Sequence, residues 1–357
     1  MNVGLVVPYL SGHGGMETVF TSFVEHYGRS EAINLSVCFP QGVENDDFLT
    51  ASQKIIFKVK KQPRQKYIRQ TVGILNLATY ILKTNANIII CMSSKLVKLV
   101  AKMRSVFNKK FLIVSWLHFS ISDENALNYA DLRLADYHFA ISSGIKKQMV
   151  AHQISEEKIF TIFNPISISK TRCIKNSDDN VIRFAYIGRM MWGQQKNLKE
   201  LLSIFKNITG NYILYLIGTG SENDLLKIRS YISEAHMDNV VLKGWQRDPW
   251  TSVPSIDCTV LTSKFEGFPM VLVESISQGI PVISSDCPTG PADIVNKDNG
   301  VLYSVGNTDQ LRLAVQDMVD GKSHFSRESI LRTAEKFSSD KYYENVSNAL
   351  SEMMATL

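Results

Sequence analysis

An α/β protein made of two doubly wound parallel sheets is the fold class this sequence predicts, and three observations carry the prediction. The chain has 357 residues, more than one ordinary domain and suited to two of about 150 to 200 residues each. Short apolar runs, of the kind that form strands buried on both faces, alternate with helix-like stretches. The alternation halts at "IFNPISI" and the polar stretch "KTRCIKNSDDN", then starts again.

In the first half, strands are expected at Val3 to Tyr9, Ile33 to Phe39, Asn87 to Met92, Phe111 to Trp116 and Asp136 to Ile141. In the second they are expected at Ile182 to Ile187, Tyr212 to Ile217, Val240 to Lys243, Cys258 to Leu261, Pro281 to Ser285 and Val301 to Tyr303. The domain plan that follows is a first domain over 1–165, a linker over 166–181 and a second domain over 182–335. A C-terminal helix over 336–357 then packs back towards the first domain. Helical crossovers between parallel strands are right-handed, and ligands bind beyond the carboxyl ends of such strands. Two domains of this kind facing each other would enclose a cleft.

Composition narrows the classes of function. No run approaches the roughly 20 apolar residues of a membrane span, and "MNVGLVVPYLSG" carries no basic leader, so a cytoplasmic location is expected. Five cysteines, Cys38, Cys91, Cys173, Cys258 and Cys287, show no zinc spacing and read as reduced, mostly buried thiols. The net charge of +5 is uneven: 19 basic against 12 acidic residues through Pro165, and 20 against 22 after it. The basic excess gathers in Lys58 to Gln70 and in Lys95 to Lys110, where apolar residues interleave at roughly helical spacing. Such runs fit either a solvated helix face or a face lying on an anionic membrane surface. Nothing points to nucleic acid as a partner.

The turns after the strands carry the chemistry. In "SGHGGMETV" the glycines Gly12, Gly14 and Gly15 let backbone approach a ligand just before a helix, so the loop could hold a phosphate or a sugar, or be a plain glycine turn. Gly218 and Gly220 in "LYLIGTGSENDLL" resemble the opening of a dinucleotide fingerprint, but Asn223 stands where a third glycine belongs and no acidic residue follows where a nicotinamide cofactor would want one. "AYIGRMMWGQQKNLKELL" sets Arg189 and Lys196 between a strand and a helix, where two cations can clamp a diphosphate or be ordinary surface charges. In "LTSKFEGFPMVLVESISQGIPVISSD", Glu266 is expected in the first turn of a helix and Glu274 two turns inside it, about 80° further round. A carboxylate in so apolar a helix must be hydrogen-bonded, by a ribose diol or by groups of the protein itself.

These residues, with "SWLHFS", "ADYHFAISSGIKKQM", "GWQRDPW" and "ISSDCPTGP", resemble the large family of retaining glycosyltransferases of the glycogen-synthase-like clan, and within it the galactosyltransferases of the lipopolysaccharide core. The match runs over nearly the whole chain. It implies the GT-B fold, two facing Rossmann-like domains with a cleft between them. It implies that Glu274 binds the ribose of a UDP-sugar, Arg189 and Lys196 its diphosphate, and Glu266 the hydroxyls of the donor sugar. Gly14, Gly15, Gly218, Gly267, Phe268 and Met270 would complete the donor site, Pro269 offering no donor, and His118 would approach the sugar from the opposite wall. Retention of configuration, by same-face attack in which the leaving phosphate helps remove the acceptor proton, is implied by the family.

With no D-x-D at a strand end and two cations available, no metal is expected. The expected reaction moves a hexose, galactose by the resemblance, from a UDP-sugar to a lipid-linked saccharide at the inner face of the membrane, where the protein is peripheral. Another hexose with a capsule or glycolipid acceptor, a nucleotide-sugar epimerase on the same fold, a phosphorylase, and a non-catalytic binding protein remain as alternatives.

Overall fold

The computed structural model describes residues 1–9, 15–43, 56–58, 66–117, 128–166 and 180–357. These form two compact units, Met1–Asn164 with Tyr343–Leu357, and Pro165–Tyr342.

The first unit is built on a seven-stranded, wholly parallel sheet. Its strands are β1 (Asn2–Val6), β2 (Asn34–Phe39), β3 (Ile56–Lys58), β4 (Ile88–Cys91), β5 (Leu112–Trp116), β6 (Tyr137–Ala140) and β7 (Ile159–Thr161), in the order β3-β2-β1-β4-β5-β6-β7. The inner strands are apolar because helices cover both faces, as "IIIC" of β4 shows by being buried at every position. The two outermost strands, β3 and β7, have three residues each and were not among the expected strands. Runs that short carry no periodic signal.

Helices α1 (Gly15–Gly28), α2 (Lys66–Lys83), α3 (Ser94–Val106), α4 (Tyr129–Leu132) and α5 (Ser143–Ala151) connect these strands. The basic runs do not form the continuous helical faces expected of them. Lys58 ends an edge strand, Lys60, Lys61 and Arg64 lie outside the described residues, and α2 starts at Lys66. The second run is helical only to Val106, after which Asn108 turns left-handed at φ 47°.

The second unit carries a six-stranded parallel sheet, β8 (Ile182–Ile187), β9 (Tyr212–Ile217), β10 (Val240–Gly244), β11 (Cys258–Leu261), β12 (Val282–Ser285) and β13 (Gly300–Tyr303). All six strands fall where the apolar runs place them. The order is β10-β9-β8-β11-β12-β13, so the direction of winding reverses between β8 and β11. The connections are α6 (Leu198–Phe205), α7 (Glu222–Glu234), α8 (Met270–Ser277), α9 (Pro291–Ile294), α10 (Thr308–Val319) and α11 (Arg327–Ala334). In α6, Leu198, Leu201, Leu202 and Phe205 recur at helical spacing, and all are buried against β8 and β9 with Phe184 and Leu214.

The final helix, α12 (Ser339–Met354), starts in the second unit and joins the first from Tyr343 onward. There Tyr343 stacks on His26 of α1 at 3.5 Å and exchanges a 2.6 Å hydrogen bond with Ser22. Cys38, Cys91, Cys258 and Cys287 are buried free thiols, and burial pushes the Cys38 and Cys287 thiols up to about 12, which leaves them unreactive at neutral pH.

Candidate active site

The place where winding reverses is where an open α/β sheet has a crevice, because the helices leaving the two adjacent strands depart to opposite faces. In the second unit those strands are β8 and β11. The loop after β8 runs from Gly188 to Asn197 and the loop after β11 from Thr262 to Pro269. They are stitched together: Thr262 Oγ1 donates to the carbonyls of Lys196 and Asn197 at 3.0 and 3.2 Å, Gln195 Nε2 donates to the Phe265 carbonyl at 3.1 Å, and the Lys264 amide donates to the Gln195 carbonyl at 2.8 Å.

This stitching delivers Lys196 to Glu266. The ammonium lies 2.6 Å from Glu266 Oε1, with the lysine side chain 15% and the glutamate side chain 8% exposed. Asn197 turns the chain out of this contact into α6 through a left-handed conformation at φ 52°, which asparagine tolerates better than most residues. Glu266 is pinned by its backbone as well, since its carbonyl accepts a short hydrogen bond from Thr289 Oγ1. Arg189 is exposed on the same loop, with its carbonyl held by the buried Tyr186 hydroxyl at 2.6 Å and its guanidinium donating to Gln195 Oε1 at 3.1 Å. Gln195 therefore joins Arg189 to the Phe265 carbonyl, next to Glu266.

Glu266 does not begin a helix. It lies in the loop, and α8 starts only at Met270 with Pro269 as its N-cap. The cause is local: a proline disfavours the helical region for the residue before it, so the helix does not run back through Phe268 to Glu266. Glu274 is accordingly in the second turn of α8, and the two-turn, 80° relation expected from helical spacing does not apply.

Glu274 is partly exposed, yet burial of its carboxyl, reinforced by the nearby charge of Asp248, pushes its pKa above the ordinary value of 4.5. The neighbouring Trp250 side chain opposes the rise. Both Asp248 and Trp250 belong to the segment that follows β10.

The match of residues 167–337 to the family described as glycosyl transferases group 1 fits this arrangement. The lipopolysaccharide 1,6-galactosyltransferase of Salmonella typhimurium is 33% identical over 359 residues, covering 98% of either chain. The chain belongs to this glycosyltransferase family. The Escherichia coli K12 lipopolysaccharide 1,6-galactosyltransferase is 32% identical, with 97% of each chain covered. The solved apo form of the lipopolysaccharide outer core galactosyltransferase WaaB superposes with a TM-score of 0.87 at 32% identity, over 99% of this chain and all of that one. The glycosyltransferase thus has the GT-B fold.

Of the residues singled out from sequence, the structure gathers Arg189, Lys196 and Glu266 around Gln195, with Gly267, Phe268 and Met270 following directly. Phe268 is buried and meets Phe337 edge-on at 5.5 Å. Gly218 has a structural reason of its own: a Cβ there would fall on the Gly188 carbonyl oxygen, and one on Gly220 would fall on that of Met190. Those glycines let the loops after β8 and β9 touch. Gly15 is the first residue of α1, while Gly14 and His118 lie outside the described residues.

Gln195, Thr289 and Trp250 escaped notice as site residues. Gln195 sits between the two predicted cations, which was the available signal. Nothing in the spacing of Thr289 or Trp250 announces a partner 23 or 24 positions away. Among the described residues, no group of three or more His, Cys, Asp or Glu side chains is placed to hold a metal ion.

Proposed function

We propose that this glycosyltransferase moves galactose from UDP-galactose to a saccharide of the lipopolysaccharide core, with retention of anomeric configuration. The observation that carries the reading is the Lys196–Glu266 pair at the reversal point of the second sheet, with Glu274 in the second turn of the next helix. The second unit is then the donor side and the first unit the acceptor side. The galactosyltransferase names of relatives at 32–33% identity over nearly full length support the choice of sugar and acceptor.

Each group then has a task. Lys196 has three N–H donors and gives one to Glu266, so two remain for the diphosphate. Arg189, on the exposed side, adds its fork of parallel donors. As the glycosidic bond breaks, charge grows on the leaving diphosphate, and these cations are already in position to meet it. A preorganised donor of this kind is worth about 2.7 to 4 kcal/mol. Glu266 orients donor-sugar hydroxyls and Glu274 the ribose, with Gly218, Gly267 and Met270 offering backbone. By the family resemblance, His118, Gly14 and Gly15 also act on the donor. The acceptor attacks on the face the diphosphate leaves, and that phosphate takes the acceptor proton. The two cations do the work a metal would otherwise do, so turnover should survive EDTA.

The test is a thermal-shift panel of UDP, GDP, ADP and their sugars, then mass spectrometry of product on extracted core saccharide. Stabilisation by UDP and UDP-galactose, and a gain of one hexose on core saccharide, are expected. Conversion of the donor without an acceptor would establish an epimerase instead, transfer from another UDP-hexose or to a capsule or glycolipid acceptor would change the substrate, and activity lost to EDTA and restored by magnesium would overturn the metal-free mechanism.

We also infer that the protein works as a peripheral protein on the cytoplasmic face of an anionic membrane, where a lipid-linked acceptor is built. No helix among the described residues is long and apolar enough to cross a membrane. Support comes from the first unit, where exposed Tyr67, Ile68, Ile74, Leu75 and Leu82 share one face of α2. Neighbouring α3 exposes Lys95, Lys98 and Lys102, of which Lys98 pairs with Asp131 at 3.1 Å. An exposed apolar helix face offers contact with a bilayer, and each lysine near an anionic surface adds about 1 kcal/mol, screened over about 8 Å at physiological salt. Co-sedimentation with anionic but not neutral liposomes, lost at high salt, is expected; equal binding to both would overturn the assignment.

A further inference from the structure

The turn that leads from Lys196 into α6 is built against the usual pattern. Asn197 is the N-cap of α6, a place where an asparagine side chain ordinarily accepts a hydrogen bond from an amide of the first helical turn. Here it caps nothing. The amides of Leu198 and Lys199 donate instead to the carbonyls of Met191 and Trp192, at 3.1 and 2.7 Å. Released from capping, the buried Asn197 side chain donates from Nδ2 to Glu200 Oε2 at 2.7 Å. Its backbone meanwhile holds φ 52° and ψ 47°, a left-handed conformation that is unfavourable for any residue with a Cβ.

Glu200 fixes this turn from the other side. Its Oε1 accepts the hydroxyl of Tyr303, the buried last residue of β13, at 2.8 Å. Burial and the Glu200 charge both push the Tyr303 pKa up, so the hydroxyl keeps its proton and donates. Each carboxylate oxygen thus takes one neutral donor, and an ionised acceptor makes such bonds strong. The Glu200 amide also donates to the Asn197 carbonyl at 3.1 Å, the carbonyl that Thr262 Oγ1 reaches from the end of β11. Asn197 is therefore tied at its side chain and at its carbonyl. Glycine would take the same turn without strain but could not be tethered. A strained backbone persists only where its surroundings over-determine it, and such positions gather at functional sites.

We infer that Glu200 is a positioning residue for the donor diphosphate: anchored by Tyr303, its carboxylate holds the Asn197 side chain and with it the left-handed turn that presents Lys196 at Glu266. The inference rests on the proposed role of Lys196 in binding the diphosphate. Glu200 itself touches no substrate in this scheme, and its effect passes through Asn197 to Lys196.

The experiment measures UDP affinity by calorimetry, kcat and KM with UDP-galactose, and the midpoint of chemical denaturation. The proteins are wild type, Glu200→Ala, Asn197→Gly, Lys196→Ala and the double variant of Glu200→Ala with Lys196→Ala. Alanine removes the carboxylate and suits a helix. Glycine keeps the left-handed turn available and removes the tether, and it gives the same readout if Glu200→Ala does not fold. A displaced cation loses much of its effect on the charge that grows as the bond breaks. Each of these two variants should therefore lower kcat by about tenfold and weaken UDP binding similarly, with KM within about threefold. In the double variant, Glu200→Ala should add nothing to the loss of UDP affinity caused by Lys196→Ala.

Wild-type kcat and UDP affinity in Glu200→Ala and Asn197→Gly, alongside weakened binding in Lys196→Ala, would overturn the role of Glu200 and leave the diphosphate reading standing. A lowered denaturation midpoint as the sole change would do the same, making Glu200 a residue of the fold. A further loss of UDP affinity in the double variant would also overturn it, because Glu200 would then act by another route. Unchanged UDP affinity and turnover in Lys196→Ala would instead sink the diphosphate reading itself, and this inference with it.

Discussion

Glu266 and Glu274 stand eight residues apart, and the protein treats their charges in opposite ways. Glu266 is buried in a loop and neutralised by Lys196 at 2.6 Å. Glu274 is set in the second turn of α8 and pushed towards protonation by burial and by Asp248. The first carboxylate has its charge met within the protein and keeps lone pairs beyond the one that Lys196 takes, whereas among the described residues no cation pairs with the second. In the proposed site the two would therefore meet a ligand differently, one as an oriented, charge-balanced acceptor and the other with its charge unbalanced.

The largest effect expected from this contrast comes from Lys196→Ala. It removes a diphosphate cation, worth roughly 10²- to 10³-fold in turnover. It also strands Glu266 in a buried site, where removing one partner of an ion pair typically costs about 3 to 5 kcal/mol. Chemical denaturation and steady-state kinetics should both register the change, and adding Glu266→Gln should restore stability without restoring turnover. Full stability in Lys196→Ala alone would show that the pair is not a buried one in solution.

Arg189→Ala should separate the two effects. Its guanidinium is exposed and bonded to Gln195, so stability should stay within about 0.5 kcal/mol while turnover falls by a similar roughly 10²-fold or more. A destabilised but fully active variant would place Arg189 in the fold and not in the site.

Glu274→Gln should weaken UDP binding by at least about tenfold, from the loss of charge-assisted bonds each worth roughly 1.5 to 3 kcal/mol. Its effect on stability runs the other way. The folded-state pKa of Glu274 lies above its unfolded value, so the folded protein holds the proton more tightly, and stability falls as pH rises from the unfolded to the folded pKa. Above that window the ionised carboxylate is a net cost that glutamine removes. Melting at neutral pH should therefore rise slightly in the variant, at about 2–4 °C per kcal/mol for a domain of this size.

The smallest effect is the pH profile of UDP-galactose binding, read with the sugar nucleotide because its diphosphate has no terminal phosphate titrating near pH 6. Affinity in wild type should decline on acidification from a pH above the ordinary carboxylate value of 4.5, because protonation discharges Glu274. Over the same range Glu274→Gln should bind UDP-galactose with less pH dependence. Parallel profiles for the two proteins would assign the titration to another group.

How much of this was legible in the sequence differs between the units. In the second, every strand was readable, since apolar runs such as "FAYI" and "YLI" have no reading other than burial, and Arg189, Lys196 and Glu274 could be named from residue type and from the loops or helix that carry them. In the first, three-residue β3 and β7 carried no pattern, and a basic run that looked helical from Lys58 is a strand end followed, at Lys66, by a helix. The spacing of Glu266 from Glu274 fits a helix, yet Glu266 lies in a loop, because Pro269 disfavours helical backbone at Phe268 and α8 starts only at Met270.

The sequence by itself determined the alternating α/β pattern, the two sheets and the residue types at the strand ends, because burial periodicity and turn chemistry are local properties of a chain. The tertiary structure decided the partners. Lys196 and Glu266 are 70 positions apart and meet because β8 and β11 are neighbours where winding reverses. Asp248, after β10, comes near enough to Glu274 of α8 to raise its pKa across 26 positions of chain. Which carboxylate is neutralised and which stays charged is set by those long-range meetings, since electrostatic energy depends on distance in space and on surrounding dielectric, and a linear sequence specifies neither until the sheet has formed.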